Sequence, residues 1–342
     1  MHRIRSWIFG AALSLVPFTL PAAAAQECEL DRPVVFAGLN WDSNAFHTEV
    51  ARHIIEAGYG CRTEVVPGST LPLHTGMQRG DVDVAMEIWS NVISEPWRKG
   101  LKRGLVAELG VNFPDTVQGW FVPRFVVEGD AERGIEPMAP DLKSVFDLPR
   151  YKKLFKDPEN RSKGRFLNCV FGWLCEVINT KKLEAYGLDD DFNNVRVGSG
   201  AALAAAISGA YRRGEPVLAY YWGPTRVLAV HDLLKLEEPP YDEDTWNAFM
   251  EERHPDKAVA YPPSPVKVGV NTKFKEAAPT LVRFLTAYET ETAHVLEALA
   301  YLEKNEGSRP KDAALHFLKT REDVWRQWVS EEVAERVAQS LD

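Results

Sequence analysis

The chain has 342 residues, with 40 Lys and Arg against 49 Asp and Glu, for a formal net charge of −9. That acidic balance argues against nucleic acid or an anionic membrane surface as a partner. The length suits two domains of ordinary size or one large one.

The first 25 residues read as a secretory signal peptide rather than as part of the fold. A basic start (His2, Arg3, Arg5) leads into an apolar stretch over about 7–20 and then a run of four alanines at 22–25. This is the n-region, h-region and small-residue cleavage site of an exported protein. The stretch is short and interrupted by Pro17, so a membrane span is not expected. Beyond residue 25 no segment offers about 18 uncharged apolar residues, and a soluble, periplasmic protein is expected.

The four cysteines, Cys28, Cys61, Cys169 and Cys175, lie beyond the expected cleavage point. An even count in an oxidising compartment predicts two disulfides, for which three pairings exist. The preferred pairing is Cys28–Cys61 and Cys169–Cys175. The first two open neighbouring strands, and the last two close a small local loop. No metal site is expected, because the spacing is not CxxC and no histidine pair at i, i+4 is near.

An α/β rhythm follows the export segment. Residues 33–39 predict a strand, 44–58 a helix with Val50, Ile54 and Ile55 on one face, 61–66 a strand, 70–80 a helix and 82–89 a strand. Residues 118–123 are extended and apolar. After an irregular, proline-containing stretch, a second α/β series reads strand 164–170, helix 173–186, strand 194–197, helix 200–213 and strand 216–222. Residues 236–265 are acidic and proline-rich and predict mostly loop. Residues 267–271 are strand-like, and from 277 onward the chain reads helical, with Leu281, Phe284, Leu285 and Tyr288 at helical spacing. Trp325 and Trp328 are spaced to pack the C-terminal helix down. Alternating strands and helices imply mainly parallel sheets flanked by helices. Two lobes are expected, one from 26–120 and 266–342 and the other from 121–265, joined by crossovers near 119–123 and 262–270.

Enzyme signatures are missing: there is no GxxxxGK[ST] loop, no HExxH helix and no GxSxG elbow. Gly198-Ser199-Gly200 reads as a strand-to-helix turn, and His47, His53 and His74 as helix-packed or solvated side chains. Three tryptophans differ in context from the other seven. Trp89 ends a strand, Trp173 lies inside the bracket Cys169-Val170-Phe171-Gly172-Trp173-Leu174-Cys175, and Trp222 follows Tyr220-Tyr221 and precedes Gly223-Pro224. Strand ends are where doubly wound lobes contact ligands. Converging indole faces suit a methylated cation, whose nitrogen has no hydrogen to donate.

On these residues the chain resembles the periplasmic substrate-binding proteins of ABC importers for glycine betaine and related quaternary amines. The elements that carry the resemblance are Cys169-x-x-Gly172-Trp173-x-Cys175, Tyr220-Tyr221-Trp222-x-Pro224, and Gly80-Asp81-Val82-Asp83 leading to Trp89. It implies a type II, two-lobed α/β fold with two crossover strands and no cofactor. It also implies a monomeric receptor that hands an osmolyte or nutrient to a membrane permease. The resemblance assigns the aromatic box to Trp89, Trp173 and Trp222, and the carboxylate contacts to the backbone N–H groups of Leu174 and Cys175. These two residues also open a predicted helix, a favourable place for an anion. Some relatives place a carboxylate-binding histidine four residues after the first box tryptophan, where this chain has Ile93. Asn91, or a cation from the other lobe, is the expected substitute. Trp41 and Asp42 are within expected reach of the cleft.

Other ligands and activities remain open. A receptor for histidine or another amino acid would need a fixed acidic partner, for which Asp42, Asp83 and Glu87 are available. An exported enzyme of small cationic metabolites would need an acid–base pair or a metal, and no credible set stands out. A sensory domain with the same ligand is indistinguishable from a transport receptor at this level.

Overall fold

A computed structural model describes residues 28–305 and 307–342; the expected signal peptide, 1–25, lies outside the described residues. Two five-stranded sheets organise the chain. The first contains β1 (Val34–Leu39), β2 (Thr63–Gly68), β3 (Val84–Trp89), β4 (Val106–Phe113) and β10 (Val266–Asn271), in the order β2-β1-β3-β10-β4. The second contains β5 (Val117–Pro123), β6 (Gly164–Asn168), β7 (Phe192–Arg196), β8 (Leu218–Gly223) and β9 (Leu233–Lys235), in the order β7-β6-β8-β5-β9. In each sheet one strand runs against the rest. β10 is antiparallel to β3 and β4, and β5 is antiparallel to β8 and β9. These are the strands that enter each sheet from the other one. This is the mainly parallel, two-lobed α/β architecture that the sequence predicts.

The helices that position the site are α1 (Asp42–His53), α2 (Thr70–Arg79), α3 (Glu95–Lys102), α4 (Arg124–Glu128), α5 (Leu174–Ala185) and α6 (Gly200–Arg213). α1 continues into a π-helical turn over Ile54–Gly58. Gly80, at φ 88°, ends α2 in the left-handed conformation that a side chain would resist. Ser199 caps α6 by accepting from the Ala202 N–H, so Gly198-Ser199-Gly200 is a strand-to-helix turn, as its sequence predicts.

Several boundaries differ from the sequence reading. The lobe boundary expected at 120 falls inside β5, whose whole length pairs in the second sheet. The acidic, proline-rich 236–265 region holds a helix, Glu243–Glu251, because Trp246 and Phe249 bury one of its faces. The C-terminal helices wrap the first sheet. Trp325 donates its indole N–H to the Leu318 carbonyl at 2.7 Å, and Trp328 packs at a tilt against Tyr288 with centroids 4.3 Å apart.

Both expected disulfides are present, Cys28–Cys61 and Cys169–Cys175. Among the described residues no helix is long and apolar enough to cross a membrane. Nor is there a group of three or more His, Cys, Asp or Glu arranged to hold a metal ion.

Candidate functional site

Four tryptophans meet in the cleft between the sheets, each at the carboxyl end of a parallel strand. Trp41 follows β1, Trp89 ends β3, Trp173 follows β6 and Trp222 lies near the end of β8. The indoles of Trp41 and Trp173 meet edge to face, with centroids 5.4 Å apart and planes at 77°. Trp173 and Trp222 do the same at 5.2 Å and 83°. Together with Leu174 and Cys175 these rings line one pocket, completed by Thr70, His74, Glu87, Ile88, Val92, Ile93, Gln118 and Tyr220. No lysine or arginine is among the lining residues.

The disulfide bracket explains how Trp173 reaches this place. Cys169, at the end of β6, is tied to Cys175 in the first turn of α5. Gly172 turns the chain between them at φ 90°. An added Cβ there would lie 2.6 Å from the Ser69 Oγ of the opposite lobe, so glycine serves both the turn and the close approach. The Leu71 N–H donates to the Gly172 carbonyl at 3.5 Å, and the Trp173 indole N–H donates to Asn40 Oδ1 at 2.6 Å. Both bonds cross the cleft. Salt bridges from Arg226 to Glu303 at 2.5 Å and from Arg98 to Glu251 at 3.4 Å cross it elsewhere. The structure is thus a closed one.

α5 begins at Leu174 with no side-chain cap. Its first N–H groups have no intrahelical acceptors, and its positive dipole end faces the pocket. Two further donors lie in the pocket wall. Gln118 Oε1 accepts from the Tyr220 hydroxyl at 2.8 Å, which leaves the amide Nε2 buried and unpartnered. His74 Nδ1 lies 2.7 Å from Ser94 Oγ, and that oxygen also accepts from the Trp97 N–H. Donation of the hydroxyl proton to Nδ1 puts the ring proton on Nε2, which is buried without a partner. Burial pushes the His74 imidazole down to about 3, so it is neutral near pH 7.

Glu87 is the only carboxylate of the wall. It is two residues before Trp89 on β3, so both side chains stand on one face of the strand. Its Oε2 accepts the indole N–H of Trp41 at 2.7 Å and that of Trp89 at 3.2 Å, while Oε1 makes no hydrogen bond. Burial pushes the carboxyl up to about 7, against the opposing pull of Trp41, Ser43 and Trp89.

A family model described as the substrate binding domain of ABC-type glycine betaine transport systems matches residues 32–320. The chain belongs to this family. One curated relative, the glycine betaine-binding periplasmic protein OusX of Dickeya dadantii (strain 3937), is 26% identical over 170 residues. That match spans 48% of this chain and 48% of the relative, about half the relative's length. Among solved structures, a choline-binding protein of an ABC transporter in complex with choline superimposes with a TM-score of 0.71 at 18% identity, covering 91% of this chain and 98% of that one. The glycine/betaine/L-proline-binding protein ProX of Borrelia burgdorferi gives 0.70 at 17%, covering 90% and 100%. Lactococcal OpuAC, closed around glycine betaine, gives 0.66 at 17%, covering 88% and 100%. Identities this low speak for the fold alone.

One expected site residue lies elsewhere. Asn91 turns away from the pocket, its amide donating to the Pro263 carbonyl and its backbone N–H to Ser264 Oγ at 3.3 Å. It pins the returning crossover beside β3 and is exposed. Asp42, at the start of α1, is also outside this pocket and borders a wider groove between the lobes. Ile93 does line the pocket, and an imidazole enters the same wall from α2, as His74. Glu87, His74, Gln118 and Tyr220 were not assigned to the cleft by the sequence. For Glu87 the usable signal was an acidic residue inside the otherwise apolar strand Val84–Trp89, since acidic side chains are seldom fully buried without a reason.

Proposed function

We propose that the protein is an exported, periplasmic receptor that captures a small quaternary ammonium solute and presents it to the permease of an ABC importer. The observation that carries this reading is the convergence of Trp41, Trp89, Trp173 and Trp222 on one pocket without a lysine or arginine in its wall. A trimethylammonium group has no N–H, so it gains most from indole π-faces in a dry site. Each face contributes on the order of 0.5–2 kcal/mol. Three or four faces with a few hydrogen bonds reach about −8 kcal/mol, which corresponds to micromolar affinity. The oxygen end of the ligand is served by the N–H groups of Leu174 and Cys175, by His74 Nε2 and by Gln118 Nε2.

The mechanism follows from where these groups come from. Trp41, Trp89, Glu87 and His74 belong to the first sheet and its helices. Trp173, Trp222, Gln118 and the start of α5 belong to the second. The box is complete only when the lobes close, and closure removes water from both ends of the ligand. The receptor role needs no chemical step. The family, and the name of its curated relative, a glycine betaine-binding periplasmic protein, support the same reading.

Calorimetry with glycine betaine, choline, carnitine, proline betaine and dimethylsulfoniopropionate tests the proposal. At least one ligand should bind with a Kd in the micromolar range or below, and no binding by any of them at millimolar concentration would overturn it. A second reading, an amino-acid receptor, is favoured by one observation, the unpartnered Glu87 Oε1 that an α-ammonium group would satisfy. Histidine binding that survives Trp173→Ala would support that alternative.

A further inference from the structure

Glu87 is anomalous in a pocket meant for a zwitterion. A carboxylate-bearing betaine brings its own counter-charge and needs none from the wall. Yet the wall of this pocket contains a buried acid, 1% exposed, with one oxygen held by two indoles, Ser43 beside the carboxyl and no cation on either oxygen. The engaged oxygen holds the edges of two box tryptophans, Trp41 and Trp89. The acid is thereby fixed behind the rings that would surround the cation.

We propose that Glu87 selects the ligand by its net charge. The pocket takes a cationic quaternary amine with a neutral oxygen tail, a choline-like molecule, in preference to a zwitterionic betaine. The inference rests on the aromatic-box reading and sharpens it.

The surroundings of Glu87 supply no other counter-charge. Ser43 approaches from α1, where the neutral, buried His47 bonds the Tyr288 hydroxyl, and His74, also neutral, lines the pocket from α2. The buried Tyr288 follows the helix Pro279–Ala287, and burial, with the charge of Glu87 behind it, holds its phenol protonated. Tyr220 and Gln118 face the pocket from the second lobe. None of these is a cation, and none of the influences on the Glu87 carboxyl is a charged group. A buried carboxylate without a cation favours its protonated form. When a quaternary ammonium enters, the carboxylate gains the missing counter-charge and gives up its proton. A betaine cancels most of this gain, because its own carboxylate is repelled by a second one in the same dry pocket. The donors at the other end do not require an anion. Gln118 Nε2, His74 Nε2 and the start of α5 can all donate to a hydroxyl oxygen.

The test is calorimetry of the full mature protein with choline and glycine betaine, between pH 6 and 8. Each titration is repeated in two buffers of different ionisation enthalpy. At pH 8 choline should bind at least tenfold more tightly than glycine betaine. Its Kd should fall about fivefold to tenfold from pH 6 to pH 8, with proton release near pH 6.5. Glu87→Gln keeps an oxygen for both indole N–H groups. It should cut the choline-to-betaine affinity ratio at least tenfold and abolish the proton release. The wild-type buffer dependence needs no variant, so a poorly folded mutant does not remove the test. Tighter binding of betaine at pH 8, or choline binding without proton release, would overturn the role of Glu87 and leave the aromatic box standing. Binding of neither ligand would overturn both.

Discussion

The indole N–H of Trp173 donates to Asn40 Oδ1 at 2.6 Å, from the second lobe to the first. Trp173 is 4% exposed, and its ring is in edge contact with Trp41 on one side and Trp222 on the other. A single ring therefore contributes a wall of the box and a latch between the lobes. Trp173→Phe keeps the wall and loses the latch. A neutral hydrogen bond is worth about 0.5–1.5 kcal/mol net. Trp173→Phe and Asn40→Leu should each raise Kd about threefold to tenfold, measured by calorimetry. The scattering radius of the ligand-free protein should grow, as the closed form loses population.

Loss of a box ring should cost more. Trp89→Ala, Trp173→Ala and Trp222→Ala each remove a π-face and open the pocket to water, and each should raise Kd at least about thirtyfold, or 2 kcal/mol. Replacement of the remote Trp325 should lower the melting temperature and leave Kd within twofold, since its ring is buried against the C-terminal helices.

The two disulfides should separate stability from affinity. Cys28–Cys61 spans 33 residues in the first lobe and lines no part of the pocket. Its replacement by a serine pair should cost about 3 kcal/mol of stability, read by denaturant unfolding, with Kd unchanged. Cys169–Cys175 spans only 6 residues, but it restrains Trp173 and the first turn of α5. Its serine pair should raise Kd at least tenfold with a smaller loss of stability.

Glu87 should leave a pH signature even without ligand. Burial raises its folded-state value from 4.5 to about 7, so the folded chain holds this proton more tightly than the unfolded chain. The stability this contributes is fully present below 4.5 and is lost as pH rises through 7. Relative to Glu87→Gln, the wild type should become less stable between pH 5 and pH 8. The change should be on the order of 2 kcal/mol, measured by thermal unfolding at both pH values. His47 and His74, both lowered to about 3 by burial, act in the opposite sense. Their contributions hold above 6.5 and fade as pH drops toward 3, and they cancel in the comparison of the two proteins.

The aromatic half of the candidate site was legible because it is written in local patterns. Trp89, Trp173 and Trp222 stand where strands end, and a parallel sheet delivers all such ends to one edge. The Cys28–Cys61 disulfide followed from neighbouring strands, and Cys169–Cys175 from the closure of a six-residue local loop. The polar half was hidden for a different reason. Glu87 occupies an apolar strand, His74 a helix that reads as packed, and Gln118 the crossover strand. Each acquires its role only when the second lobe folds over the first. Asn91 shows the converse. It was the expected substitute for a histidine at the position of Ile93, but the turn after β3 points its amide at Pro263. The helix Glu243–Glu251 escaped notice because acidic and proline-rich flanks masked the pair Trp246 and Phe249.

The central claim is that the indoles recognise a permanent positive charge and not merely a tert-butyl-sized shape. Choline and 3,3-dimethylbutan-1-ol have nearly the same shape and differ in that charge, as glycine betaine and 3,3-dimethylbutanoate do within the zwitterion series. Calorimetry should be run on the tighter-binding of choline and glycine betaine, against its carbon isostere at pH 7.5. The charged nitrogen compound should bind at least a hundredfold more tightly, about 2.7 kcal/mol. Equal affinity for the two members of the pair would contradict the account.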